Sequence, residues 1–304
     1  MVMDYSQLIH SARLAGLHAR PMGVGRCGQS VGENVIVCMR LHALGFPCAW
    51  ESATAAAVAR LAVSSRRIGS CEAGSYTVWR SLDGAELWFH FPRLAGERPS
   101  AAKPGPPTIE GLRAITPFHR GLSRVDLVVE RRLGLDPTNP LEGSFRARFP
   151  AGRPNTADQT LNVEMVPYAL QPIARTPVRA AAQIACFAHA VWAFDSTQHY
   201  LERTPKHRRL LAGSFGSVTQ EEVPDVKLDY VQSVVSLGLM TGTVQRAIRH
   251  RNPLTGMSYY WLQLATRRGA FDIIANPLTI EGDISMGQTA QVCGSFVGRL
   301  IVPN

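Results

Sequence analysis

Apolar positions recur along this chain with two different periods. In "DYSQLIHSARLAGLHAR", Tyr5, Leu8, Ile9, Ala12 and Ala15 return at three- and four-residue intervals, which predicts a helix that frays at Gly16. A second helix is predicted from Ser30 to Leu44, stopped by Gly45, Phe46 and Pro47, and a third in "SATAAAVARLAVSS" with Ser52 as its N-cap. The period then shortens. "YTVWR" and "ELWFHF" alternate as strands do, and Asp83-Gly84 between them suits a tight hairpin turn.

The segment "LAGERPSAAKPGPP" is dense in Pro, Gly and Ala and predicts a linker. Beyond it, "SRVDLVVERRL" and "GSFRARF" read as strands. In the latter, Phe145, Ala147 and Phe149 face one way while Arg146 and Arg148 face the other. The run "VRAAAQIACFAHAVWAF" is apolar nearly all round over a length typical of helices, so it predicts a buried helix, followed by a more polar covering helix, within 176–212. Four strands are predicted in the last seventy residues, in "SVVSLGLMTGTVQRAIRH", "SYYWLQLAT", "AFDIIA" and "TAQVCGSFVGRLIV". In the last of them Ala290, Val292, Gly294, Phe296, Gly298 and Leu300 share one side, and glycines there permit close strand approach.

The expectation is thus an α+β chain. Residues 1–93 form a three-helix unit with a β-hairpin, and 94–110 a Pro/Gly-rich linker. Residues 111–304 form a β-rich domain that ends in a small antiparallel barrel of OB type over 232–304. The triplet Asn-Pro-Leu, at Asn139, Asn252 and Asn276, reads as a turn former, with Leu tucked towards the core. Gly143 and Gly256 are placed to launch the return strands.

Composition narrows the function classes. With 45% hydrophobic and 18% charged residues the chain is globular and not a disordered polymer. Its longest apolar run, Ala180 to Phe194, is short for a membrane span and carries Gln183 and His189; with no secretory signal pattern at the start, a cytoplasmic location without membrane contact is expected. Six cysteines without a Cys-x-x-Cys pair read as reduced thiols, and no metal-ligand spacing occurs. The glycines of "GVGRCG" do not follow a strand, so no dinucleotide site or other cofactor is assigned.

Net charge is +9, which favours an acidic partner. Basic and aromatic residues interleave near the C-terminus: Arg246, Arg249 and Arg251, then Tyr259 and Trp261, then Arg267 and Arg268. Together with Arg146 and Arg148 they form the candidate binding set. An acidic protein or a second copy of the chain is the leading partner; single-stranded nucleic acid is the alternative, because its sites combine cationic grooves with stacking platforms.

Residues 28–92 carry a partial resemblance to the transglutaminase-like core of the papain-like superfamily, through "GQSVGENVIVCMRLHALGFPCAW" followed by "YTVWRSLDGAELWFHFP". The resemblance places Ser30 where that family has its nucleophilic cysteine, Thr77 where it has histidine, and His90 near the place of the acid, so the catalytic positions are not matched. An enzyme of this class would need Cys27 as a shifted nucleophile with His90 as its base. A non-catalytic binding or scaffold role is therefore the leading expectation.

Overall fold

A computed structural model describes residues 39–47, 58, 60–93, 111–134, 139–150, 160–171, 173, 175–204, 215–217 and 237–301. Strands dominate the described residues, and this corrects the α+β expectation. The first predicted helix lies outside them. The second is described only over residues 39–43 and the third only at residue 58 and over 60–64, all helical. In place of a three-helix unit, the described N-terminal region is chiefly an antiparallel sheet in the order β1 (Arg66–Cys71), β2 (Gly74–Arg80), β3 (Ala85–Pro92), β4 (Ala114–His119). The β2–β3 hairpin turns at Asp83-Gly84 as its residues dictate, with Gly84 at φ +100°. Strand β4 lies beyond residue 110, so the packing crosses the predicted linker, which itself lies outside the described residues.

The second sheet has ten strands: β5 (Val125–Gly134), β6 (Gly143–Arg148), β7 (Thr160–Met165), β8 (Val178–Phe194), β9 (Phe215–Ser217), β10 (Leu237–Arg251), β11 (Ser258–Thr266), β12 (Gly269–Ala275), β13 (Ile280–Glu281) and β14 (Thr289–Ile301). Its pairings close into two loops of five strands, β8–β5–β6–β7–β14 and β8–β12–β11–β10–β14, which share the long antiparallel β8–β14 ladder. The separate small barrel over 232–304 is corrected accordingly. Its strands belong to the ten-stranded sheet, and the loop they form closes only through β8.

The predicted buried helix is β8. Along this strand Ala182, Ile184, Cys186 and Ala188 enter the core enclosed by the ten-stranded sheet, while Ala185 and Phe187 enter a second core against the four-stranded sheet. A strand buried on both faces has no polar side to alternate, so its apolar run is continuous and mimics a buried helix. The helix Thr197–Arg203 follows it, capped by the Ser196 hydroxyl accepting from the His199 amide at 3.1 Å.

The second core also holds Trp88, Phe89, Phe118, Tyr259, Trp261, Ile274 and Val297, so both sheets are packed as one body. Ion pairs cross that interface. Buried Glu86 accepts from Arg80 Nε at 2.9 Å, Trp88 Nε1 at 2.9 Å and Arg299 at 3.4 Å. Buried Arg40 donates to Glu164 at 2.5 Å and to the Ser295 hydroxyl at 3.1 Å. Low dielectric makes these contacts strong and makes either partner costly to leave alone.

The three Asn-Pro-Leu turns also join the two parts. In each, the Asn Oδ1 accepts the amide of the Leu two residues on, at 3.3, 2.9 and 2.9 Å. The amide groups of Asn252 and Asn276 reach back to the carbonyls of Leu44 and His42, at 2.7 and 3.2 Å, at the C-terminal end of the helical turn 39–43, where the His42 carbonyl also accepts the Gly45 amide at 2.9 Å. Leu141 is buried as expected, but Leu254 and Leu278 are exposed; Gly256 has the positive φ, +72°, whereas Gly143 instead abuts the Tyr168 ring.

Two stability outcomes follow. A Cβ at Gly294 would lie 2.5 Å from the Phe187 carbonyl oxygen and 2.6 Å from Cys186 Sγ, so Gly294→Ala must part the β8–β14 ladder at about 1–3 kcal/mol, read as a lower denaturant midpoint. Asn252→Ala strands the Leu44 carbonyl and frees two amides, and denaturation should show a loss of about 2 kcal/mol.

Candidate functional site

Cross-strand register places arginines on one face. Residues paired across neighbouring strands share a side of the sheet. Val128 of β5 lies opposite Arg148 of β6 and opposite Arg179 of β8. Arg131 lies opposite Arg146, beyond a bulge between Val129 and Arg131. These four arginines therefore occupy the outer face of β6–β5–β8, with Arg131, Arg146 and Arg179 exposed and Arg148 half-buried. The adjacent Arg132 is different: it turns inward, lies 4.6 Å from the centre of the Tyr168 ring and donates to the Tyr168 carbonyl at 3.1 Å.

Glu130, in the bulge, is the internal counter-charge, 3.2 Å from Arg148 and 3.7 Å from Arg146. Arg131 and Arg179 make no ion pair among the described residues. Arg148 and Arg179 flank a cleft of about 320 Å³ lined also by Val128, Pro150, Pro177 and Val178. A guanidinium presents a rigid fork of donors that matches a carboxylate, so the arrangement is suited to acidic groups.

The remaining candidate residues divide. Arg246 stands over Trp261, 5.8 Å from the ring centre, whereas Arg249, three residues further along the strand, lies on the other face, paired with Tyr260. Arg251 closes its own hairpin by donating to the Gly256 carbonyl at 2.7 Å. Arg267 and Arg268 form the β11–β12 turn, where Arg268 covers Phe149 at 5.8 Å. Tyr259 and Trp261, the aromatic residues of the expected binding set, lie in the core between the sheets. Tyr259 is fully buried, and its hydroxyl donates to Asp83 at 2.7 Å; Trp261 is buried and donates from Nε1 to Asp272 at 2.9 Å. Asp272 accepts further from the Leu122 and Ser123 amides at 3.1 and 2.7 Å, which ties β12 to the segment after β4.

The residues of the transglutaminase-like resemblance have structural surroundings where they are described. Cys27 and Ser30 lie outside the described residues. The Thr77 hydroxyl donates to the Ala62 carbonyl at 2.7 Å. His90 is buried between the sheets, 3.2 Å from the Thr116 hydroxyl, which spends its single proton on Glu164 at 3.1 Å, so His90 Nε2–H is the donor. Desolvation pushes its pKa down to about 3, and the imidazole stays neutral. A second imidazole, His119, contacts the rings of His250, Tyr259 and Trp261. Its pKa falls to about 4, chiefly through burial and then through the neighbouring His250, against the opposing pull of Asp83.

Among the described residues no group of three His, Cys, Asp or Glu side chains is arranged to hold a metal ion. No helix among them is long and apolar enough to cross a membrane. No family model, curated protein or solved structure matches the chain. Sequence alternation found Arg146 and Arg148, but not Arg131 and Arg179. The bulge hid the first, and the second stood in a segment read as helix.

The neutral histidines make stability acid-sensitive. The unfolded chain protonates His90 and His119 near pH 6.5, the folded chain only near about 3 and about 4. Protons thus favour unfolding between those values: stability is full above pH 6.5 and falls towards pH 4, by up to about 1.4 kcal/mol per pH unit for each histidine. Denaturation series at pH 7.5, 6 and 5 should show that decline, and His119→Gln should lessen its slope.

Proposed function

We propose that this protein is a non-catalytic binding protein that docks an acidic segment of a partner protein on the outer face of β6–β5–β8. The observation that carries this reading is the register that sets Arg131, Arg146, Arg148 and Arg179 side by side, with Arg131 and Arg179 free of ion pairs among the described residues. A basic chain, +9 overall, attracts such a partner over distance, and arginine forks supply the specific contact. Protein is favoured over single-stranded nucleic acid because Tyr259 and Trp261, the candidate stacking platform, are buried and bonded to Asp83 and Asp272.

The test is fluorescence anisotropy with a labelled Glu-rich peptide and, in parallel, a labelled single-stranded oligonucleotide, each at low and moderate salt. Peptide binding should weaken with salt and fall at least tenfold in Arg131→Glu/Arg179→Glu, as expected for loss of two charge-assisted contacts of about 1.5–3 kcal/mol each. An unchanged affinity in that double variant overturns the reading. Binding of the oligonucleotide in preference to the peptide moves the function to nucleic acid.

A further inference from the structure

We infer that the notch between Arg148 and Arg179 receives a single carboxylate, a Glu or Asp side chain of the acidic partner, and that Glu130 competes with it from within the chain. This rests on the binding role proposed above and assigns the point of contact. The two arginines lie on either side of Val128 in one cross-strand row. Neighbouring strands are about 4.8 Å apart, so their Cα atoms are about 10 Å apart, a gap that two arginine stems can close upon one carboxylate. Val128 faces outward yet is only 7% exposed, as befits a floor covered by side-chain stems, and Pro150, Pro177 and Val178 complete an apolar wall. A carboxylate there meets two donor forks above a surface poor in water, which strengthens both contacts. Its methylenes meet Val128 and the prolines.

The chain itself already presents one carboxylate to this row. The bulge between Val129 and Arg131 projects Glu130 towards Arg148 and Arg146, at 3.2 and 3.7 Å, while Arg179 across the notch makes no ion pair among the described residues. Arg148 is thus shared between an internal acid and any incoming one. Removing the Glu130 charge takes that competing carboxylate away from Arg148, and removing Arg179 deletes the half of the clamp that makes no ion pair among the described residues.

The opposite signs of these two effects make the test. With the labelled Glu-rich peptide, Glu130→Gln should tighten binding several-fold, and Arg179→Ala should weaken it about tenfold, the equivalent of one charge-assisted contact. Both side chains are surface groups, and unchanged thermal midpoints show that folding is intact. Weakened or unchanged binding in Glu130→Gln, or unchanged binding in Arg179→Ala, overturns the notch. If Arg131→Glu/Arg146→Glu still abolishes binding in that case, the arginine face survives without it; if that variant also binds normally, both readings fall. Free glutarate added as competitor should displace the peptide only weakly, and displacement at equal concentration overturns the partner assignment in favour of a small dicarboxylate.

Discussion

The β8–β14 ladder is the constraint on which the rest of the molecule depends. It runs from Thr289 opposite Phe194 to Ile301 opposite Ala181, and both closed loops of the ten-stranded sheet include it. On its outer edges β8 carries β5, β12 and β13 in turn, while β14 carries β10 and β7. Close contact is possible because Gly294 leaves room for the Phe187 carbonyl and Cys186 at the ladder's one irregularity. The candidate binding face hangs from the same strand, since Arg179 is its second residue.

Polar contacts then orient the four-stranded sheet on this frame. Glu86 and Glu164 are each held by arginine from another element, and Asp272 gathers three donors from β11 and the segment after β4. Buried pairs of this kind add modest net stability but penalise any arrangement that separates them, so they select one docking of the two sheets. They also account for the aromatics: Tyr259 and Trp261 are drawn inward because Asp83 and Asp272 offer their polar atoms partners beneath the surface. The two aromatic residues of the expected binding set are thereby taken into the core between the sheets.

Half of that arginine face is readable from alternation alone. Arg146 and Arg148 alternate with Phe145, Ala147 and Phe149, and the apolar residues do enter the core. Arg131 cannot be placed the same way, because the bulge before it shifts its side by one residue, and a one-residue shift exchanges the faces of a strand. Arg179 is invisible for a different reason. The run that follows it is buried on both faces, and such a run has no period to distinguish strand from helix.

The amino-acid sequence by itself determined the local pieces: the hairpin at Asp83-Gly84, the strands of the last seventy residues, the Asn-initiated turns and the inward face of β6. Each depends on turn chemistry or on alternation within a few residues. Tertiary structure alone decided that β8 is a strand, that β4 completes a sheet begun on the far side of residues 94–110, and that Asn252 and Asn276 also finish a helical turn two hundred residues away. It decided, too, which arginines stand together. Those outcomes depend on which partner occupies each edge and each face, and that is set by long-range pairing, to which local pattern is blind.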